Sequence, residues 1–183
     1  MPNPNTFLYF AYGSNLLAKR IHINNPSAVR KDVGKLLDYC LDFNRYSEKW
    51  GGASATVVPK VGEHVWGAIW EIDNKNLASL DKQEGVHLNT YFAKDVNIKT
   101  KSGENVSCRI YEQSKLPAPL QPGEPFPEDR KPSLIYLETI IQGALESGLP
   151  DSYLKMLRSI PHNGNIGDEQ LRKELGILLS HKV

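Results

Sequence analysis

Six of the chain's twelve prolines fall between Pro117 and Pro132, in the stretch "LPAPLQPGEPFPEDRKP". Proline lacks the N–H that a strand ladder or a helix interior requires, so this stretch can be neither a central strand nor a continuous helix. It has to cross the surface as a loop, and it divides the sequence into two unlike parts. Before it, short runs rich in β-branched and aromatic residues dominate; after it, apolar residues return at helical spacing.

In the first part, Phe7 to Ala11 reads as a strand and Val33 to Tyr46 as another. "ASATVV" and "HVWGAIWEI" read as two more, with "PKVGE" turning between them, and "TYFAKDVNIKT" and "NVSCRIYEQ" flank Lys101-Ser102-Gly103-Glu104 as a hairpin. Two helical stretches interrupt these strands. Ser14 to about Ile23 places Leu17 and Ile21 on an inner face and turns Lys19, Arg20 and His22 to water. Lys75 to Glu84 has Asn74 as its N-cap and Gly85 as a left-handed stop. Beyond the loop, "SLIYLETIIQGALESG" and "DSYLKMLRSI" are helices parted by Leu149-Pro150, and a further helical segment fills Asp168 to Ser180. Strands gathered early, with helices inserted and appended, depart from βαβ alternation. The expected class is α+β, a curved or closed mixed β-barrel with flanking helices.

At 183 residues the chain fits one domain over 1–183, comprising the loop 117–132 and a helical C-terminal region 133–180. Twenty-two basic against twenty-one acidic residues leave a formal charge of +1, which offers no field for nucleic acid or an anionic membrane. No apolar run approaches the roughly 18–20 residues that span a bilayer. The opening "MPNPNTF" has neither the basic end nor the apolar core of a signal peptide, so a cytoplasmic location is expected. Cys40 and Cys108 lack C-x-x-C spacing and read as buried free thiols. His22, His64, His87, His162 and His181 show no ligand spacing, so no metal is expected. Trp50, Trp66 and Trp70 read as core anchors or pocket walls, and the expected partner is a small molecule.

Two features carry chemistry. In "LYFAYGSNLL" a strand passes directly into a helix start, where unpaired N–H groups form an anion seat. Gly13 permits close approach, Ser14 offers a capping hydroxyl and Asn15 an amide donor; the plainer reading is that Gly13 makes the turn and Ser14 caps the helix. The second feature is Glu84, which projects into the stripe of Leu77 and Leu80. Burial and the negative helix end both raise a carboxyl pKa and make a base poised near neutrality. A frayed helix end returning Glu84 to solvent is the plainer reading of that position.

"YFAYGSNL" together with "LDKQEGV" some seventy residues later resembles the γ-glutamylcyclotransferases, and "IYLETIIQGALESGLPDSYLKML" is similar to that family's late helical segment. The similarity runs from Phe7 to Pro161 and loosens across the proline-rich loop. It implies a mixed β-barrel, no cofactor, conversion of γ-glutamyl amino acids to 5-oxoproline and free amino acid, and, as in many members, a homodimer. By motif it implies a substrate-binding loop of Tyr9, Phe10, Ala11, Tyr12, Gly13 and Ser14, with Asn15 and Leu16 continuing it. It also implies Glu84 as catalytic acid/base and Tyr136 as a late substrate contact; Tyr91 and Tyr111 are further contacts to test. Related groups acting on glutathione carry a Tyr-Gly-Ser-Leu type of loop and those acting on γ-glutamylamines a Tyr-Gly-Thr-Leu type, so Asn15 favours γ-glutamyl amino acids. A non-catalytic binder of a small acid is the alternative from outside enzymology.

Overall fold

The computed structural model describes residues 3–179. Five strands form: β1 (Thr6–Ala11), β2 (Val29–Ser47), β3 (Gly52–Asp73), β4 (Tyr91–Thr100) and β5 (Asn105–Gln113). They close a barrel in the order β1-β3-β2-β4-β5, antiparallel except where β5 meets β1 in parallel at Tyr9 and Arg109. Trp70, Phe10, Phe43, Ile69 and Ile110 are among the fully buried side chains of the core. Among the described residues no helix is long and apolar enough to cross a membrane.

"PKVGE" is not a turn between two strands. β3 runs through it and keeps β2 as its partner on both sides, pairing Pro59 with Tyr39 and His64 with Leu37. The intervening residues 60–63 bulge out opposite Asp38 alone. Positive φ at Asp38 (+62°) and Gly62 (+85°) accommodates the bend, and the Gly62 N–H donates to Asp38 Oδ1 at 2.9 Å.

The expected helix from Ser14 to Ile23 is broken. A single 3-10 turn covers Ser14–Leu16, Leu17 is extended (φ −83°, ψ 123°), and α1 runs Ala18–Asn24. The break lets Leu16 and Leu17 both bury, and it rotates the phase of α1 so that Arg20 joins Ile21 on the inside instead of facing water. α2 (Leu77–Gln83) follows a 3-10 turn, Asn74–Asn76, and the Asn74 amide donates to the Pro4 carbonyl at 3.1 Å instead of capping. Gly85 closes it at φ +69°, as expected.

Past the loop, α3 (Leu134–Ser147) begins where the Ser133 hydroxyl accepts the Tyr136 N–H at 3.2 Å, and α4 (Asp151–Arg158) follows Pro150. α5 (Glu169–Leu175) is capped by Asp168 and stopped by Gly176 at φ +66°, short of the expected span; Ser180 and His181 lie outside the described residues. α3 packs on the 14–16 turn at Gly143, where an added Cβ would stand 2.5 Å from both Leu16 Cβ and Leu17 N.

The proline-rich segment is a surface loop tied down by one side chain. Buried Arg130 donates through Nε to the Phe43 carbonyl (3.1 Å), through Nη1 to the Ala118 carbonyl (3.0 Å) and through Nη2 to both Asp42 oxygens (2.7 Å each). Asp42→Asn keeps the shape but removes the countercharge, so a loss of about 1–2 kcal/mol is expected in urea unfolding. Limited proteolysis should then cut first between Pro117 and Arg130.

Candidate active site

The end of β1, the following turn, the first part of β3, the starts of β4 and α3 and the ends of α2 and β5 converge on one small chamber. Tyr9, Tyr12, Tyr91, Tyr111 and Tyr136 line it with Gly13, Ser14, Asn15, Ala55 and Glu84. Each phenol oxygen has a defined partner. Tyr12 donates to the Tyr111 carbonyl, Tyr111 to Asp81 Oδ1 (2.5 Å), and Tyr91 to the Ala55 carbonyl (2.8 Å). Tyr9 and Tyr136 instead accept, from the Asn15 amide (3.1 Å) and the Ala55 N–H (3.0 Å), and among the described residues their hydroxyl hydrogens have no acceptor. Burial raises the pKa of all five, so each stays protonated as a donor.

Glu84 sits one residue past α2, held by its N–H to the Leu80 carbonyl (3.0 Å) and by the Thr90 hydroxyl on its own carbonyl (3.3 Å). It is half-buried and lines the chamber. Asn15 Nδ2 reaches Glu84 Oε1 at 3.4 Å, while Asn15 Oδ1 accepts from Gln83 at 3.2 Å. The Asn15 amide is thus engaged with Tyr9, Gln83 and Glu84, a positioning arrangement rather than the free donor the sequence suggested. Burial raises the Glu84 carboxyl from its usual value near 4.5 to about 7, and nearby Arg20 opposes that rise.

The turn at Gly13 differs from the expected capped helix. The Leu16 and Leu17 N–H groups close on the Gly13 and Ser14 carbonyls, and the Ser14 hydroxyl caps nothing. A three-residue turn also has almost no macrodipole, so any anion affinity here rests on local N–H groups. Gly13 lies against Tyr136, whose Oη is 3.5 Å from where a Cβ would be. Phe10, Ala11 and Leu16, expected in the binding loop, do not line the chamber. All three are fully buried. Phe10 leaves β1 on the face opposite Tyr9 and packs over Gly67, and Leu16 packs under α3.

An AIG2-like family model matches residues 64–157, which include Glu84 but not the turn at Gly13. Full-length comparison supplies the rest. Gamma-glutamylcyclotransferase of Mus musculus is 41% identical over 171 residues, 90% of this chain and 85% of that protein, and the Bos taurus protein is 42% identical over the same shares. A solved gamma-glutamyl cyclotransferase superposes with a TM-score of 0.81 at 37% identity, covering 93% of this chain and 98% of the other. The chain belongs to the gamma-glutamylcyclotransferase family. Its closed mixed barrel with flanking helices is the fold of that family.

In this family member the tyrosine chamber opens into a wider outer cleft that shares Ser14, Glu84, Tyr91 and Tyr136 with it. Arg20 and Trp50 line the cleft, with the guanidinium 5.6 Å from the indole centre and the indole 4.9 Å from the Tyr136 ring. Sequence reasoning assigned Arg20 to solvent because it took the helix to begin at Ser14. Once the helix starts at Ala18, Arg20 and Ile21 share the inner face. No periodicity signal marks that break, and α3, which packs against Leu16 and Leu17 at Gly143, lies more than 110 residues later in the chain.

Proposed function

We propose that this chain converts γ-glutamyl amino acids to 5-oxoproline and a free amino acid by intramolecular aminolysis, with Glu84 as acid and base. What carries the reading is a carboxyl raised to about 7 and facing a tyrosine-walled chamber that also contains the turn at Gly13. The glutamyl arm occupies the chamber. N–H groups of the Gly13–Asn15 turn hold a substrate oxygen, and the hydroxyl hydrogens of Tyr9 and Tyr136 add donors.

Glu84 takes a proton from the α-ammonium, and the freed nitrogen attacks the γ-carbonyl carbon. A new C–N bond closes the five-membered lactam while the old amide C–N bond breaks. The departing amine receives the proton that Glu84 accepted. The second proton, which the ring nitrogen sheds in becoming the lactam N–H, passes to it through the same carboxyl, so the amino acid leaves as an ammonium and the reaction consumes no water. Folding the arm so that nitrogen and carbon meet supplies a large effective molarity, and the rigid tyrosine walls suit that task.

Incubation of the protein with γ-glutamyl-alanine, glutathione and γ-glutamyl-lysine separately, following 5-oxoproline, tests this reading; release from the first above the others is expected. A binder of small acids would instead saturate with γ-glutamyl-alanine and release nothing. The pH profile has a defined sign. Only the ionised carboxyl is a base, so kcat should rise about tenfold per pH unit below about 7 and level off above it. A profile flat from pH 5 to 8 would remove Glu84 from the proton transfer.

A further inference from the structure

We propose that Arg20 binds the carboxylate of the amino acid that leaves, and that this contact selects γ-glutamyl amino acids over substrates lacking a carboxylate there. The inference rests on the reaction proposed above and assigns the outer cleft a role in it.

Arg20 is 6% exposed, yet its Nε and Nη1 are buried without any acceptor. Among the described residues the guanidinium has neither an ion pair nor a hydrogen bond, in contrast to Arg30, Arg109 and Arg130, each of which holds a carboxylate. An always-charged guanidinium withdrawn from water and left unpaired is costly, and an anion arriving from the cleft relieves that cost. Among the described residues no carboxylate is paired with the guanidinium. Glu84 is close enough to interact, but its charge comes and goes as it shuttles a proton. Glu48, also on the cleft wall, and Glu174, on α5, are exposed and unbonded to Arg20.

The position fits one carboxylate of the substrate better than the other. The glutamyl arm and its own carboxylate lie in the chamber, which Arg20 does not line. Glu84 lines both the chamber and the cleft, so an amine that takes its proton departs on the cleft side, where Arg20 stands against Trp50. In an α-amino acid the carboxylate is two bonds from that nitrogen, and the guanidinium fork is built to receive its two oxygens. In glutathione the free carboxylate moves one residue further out. In a γ-glutamyl-lysine linked through the side-chain nitrogen it moves to the far end of the lysine.

The test compares 5-oxoproline release from γ-glutamyl-alanine and γ-glutamyl-alaninamide, which differ only at that carboxylate. The wild-type chain should favour the acid by about a hundredfold in kcat/KM, the size of a charge-assisted hydrogen bond. Arg20→Gln should reduce this ratio to within about threefold, and Arg20→Lys, which keeps the charge but loses the fork, should leave about tenfold. A purely structural Arg20 would slow both substrates alike, so a ratio unchanged in a folded Arg20→Gln overturns the proposal. A wild-type ratio near one does the same. Should Arg20→Gln not fold, the wild-type and Arg20→Lys ratios decide, and an Arg20→Lys ratio equal to wild type counts against. If the wild-type chain releases no 5-oxoproline from any substrate, the proposed reaction fails instead, a result distinct from all of these.

Discussion

Glu84→Gln is expected to lower turnover by a hundredfold or more while leaving the fold and the binding of γ-glutamyl-alanine nearly intact. The amide preserves shape and the Asn15 contact but cannot accept the ammonium proton, and general acid/base groups typically contribute about 10²–10⁴-fold. KM should change little, because the loss falls on the transition state. The same variant has a second readout with a definite sign. Glu84 titrates near 7 when folded and near 4.5 when unfolded, so the folded chain holds a proton that the unfolded chain releases. The stability this group contributes is fully present below about 4.5 and is lost as pH rises through about 7. At pH 8 the buried charge costs at most about 3 kcal/mol, and Glu84→Gln should recover part of that. Urea unfolding at pH 5 and pH 8 reads it as a gap between variant and wild type that widens with pH. Full turnover in a folded variant would exclude Glu84 as the base, and a gap that does not move with pH would show that its carboxyl is not held from solvent.

Gly143→Ala is expected to destabilise the packing of α3 on the 14–16 turn. Helix propensity argues the other way, since alanine in a helix interior is worth about 1 kcal/mol over glycine. Packing wins here. The new Cβ meets Leu16 Cβ and the Leu17 main-chain nitrogen at 2.5 Å, and main chain cannot swing aside as a flexible side chain does. Overpacking of this kind typically costs about 1–3 kcal/mol before any propensity gain is subtracted. Because the displaced backbone is the turn that presents Gly13, Ser14 and Asn15 to the chamber, kcat/KM should fall by at least tenfold. Thermal melting and 5-oxoproline assays check both. A variant more stable than wild type would show that α3 can retreat from the turn freely.

Much of this architecture was readable from the residues alone. The strand type of Thr6–Ala11, the hairpin around Gly103, the Ser133 start of α3 and the stop at Gly85 are local decisions, made by β-propensity, turn chemistry and capping. The position of Glu84 was likewise visible, because its projection between two leucines already turns it inward, and the structure half-buries it on the chamber wall. What escaped was decided at long range. "PKVGE" looks like a turn until β2 supplies a partner on both sides of it. Arg20 looks solvated until the helix is seen to break at Leu17, where α3 packs on the turn before it. Phe10, Ala11 and Leu16 share a motif with Tyr9, Tyr12 and Gly13, yet Phe10 falls on the opposite strand face and Leu16 turns under α3, so part of a motif packs the core beneath the part that lines the chamber.

The parallel seam between β1 and β5 has a bearing on biosynthesis. Tyr9 leaves the ribosome about a hundred residues before the strand that must lie beside it, and Tyr136 follows later still. Contacts so distant along the chain are slow to form, because their loop entropy is lost before any reward is gathered. A nascent fragment that ends before α3 lacks one of the five phenols and the helix that shapes the Gly13 turn. Competence to cyclise a substrate therefore arrives late, with the completed polypeptide, and a truncated translation product should be inert.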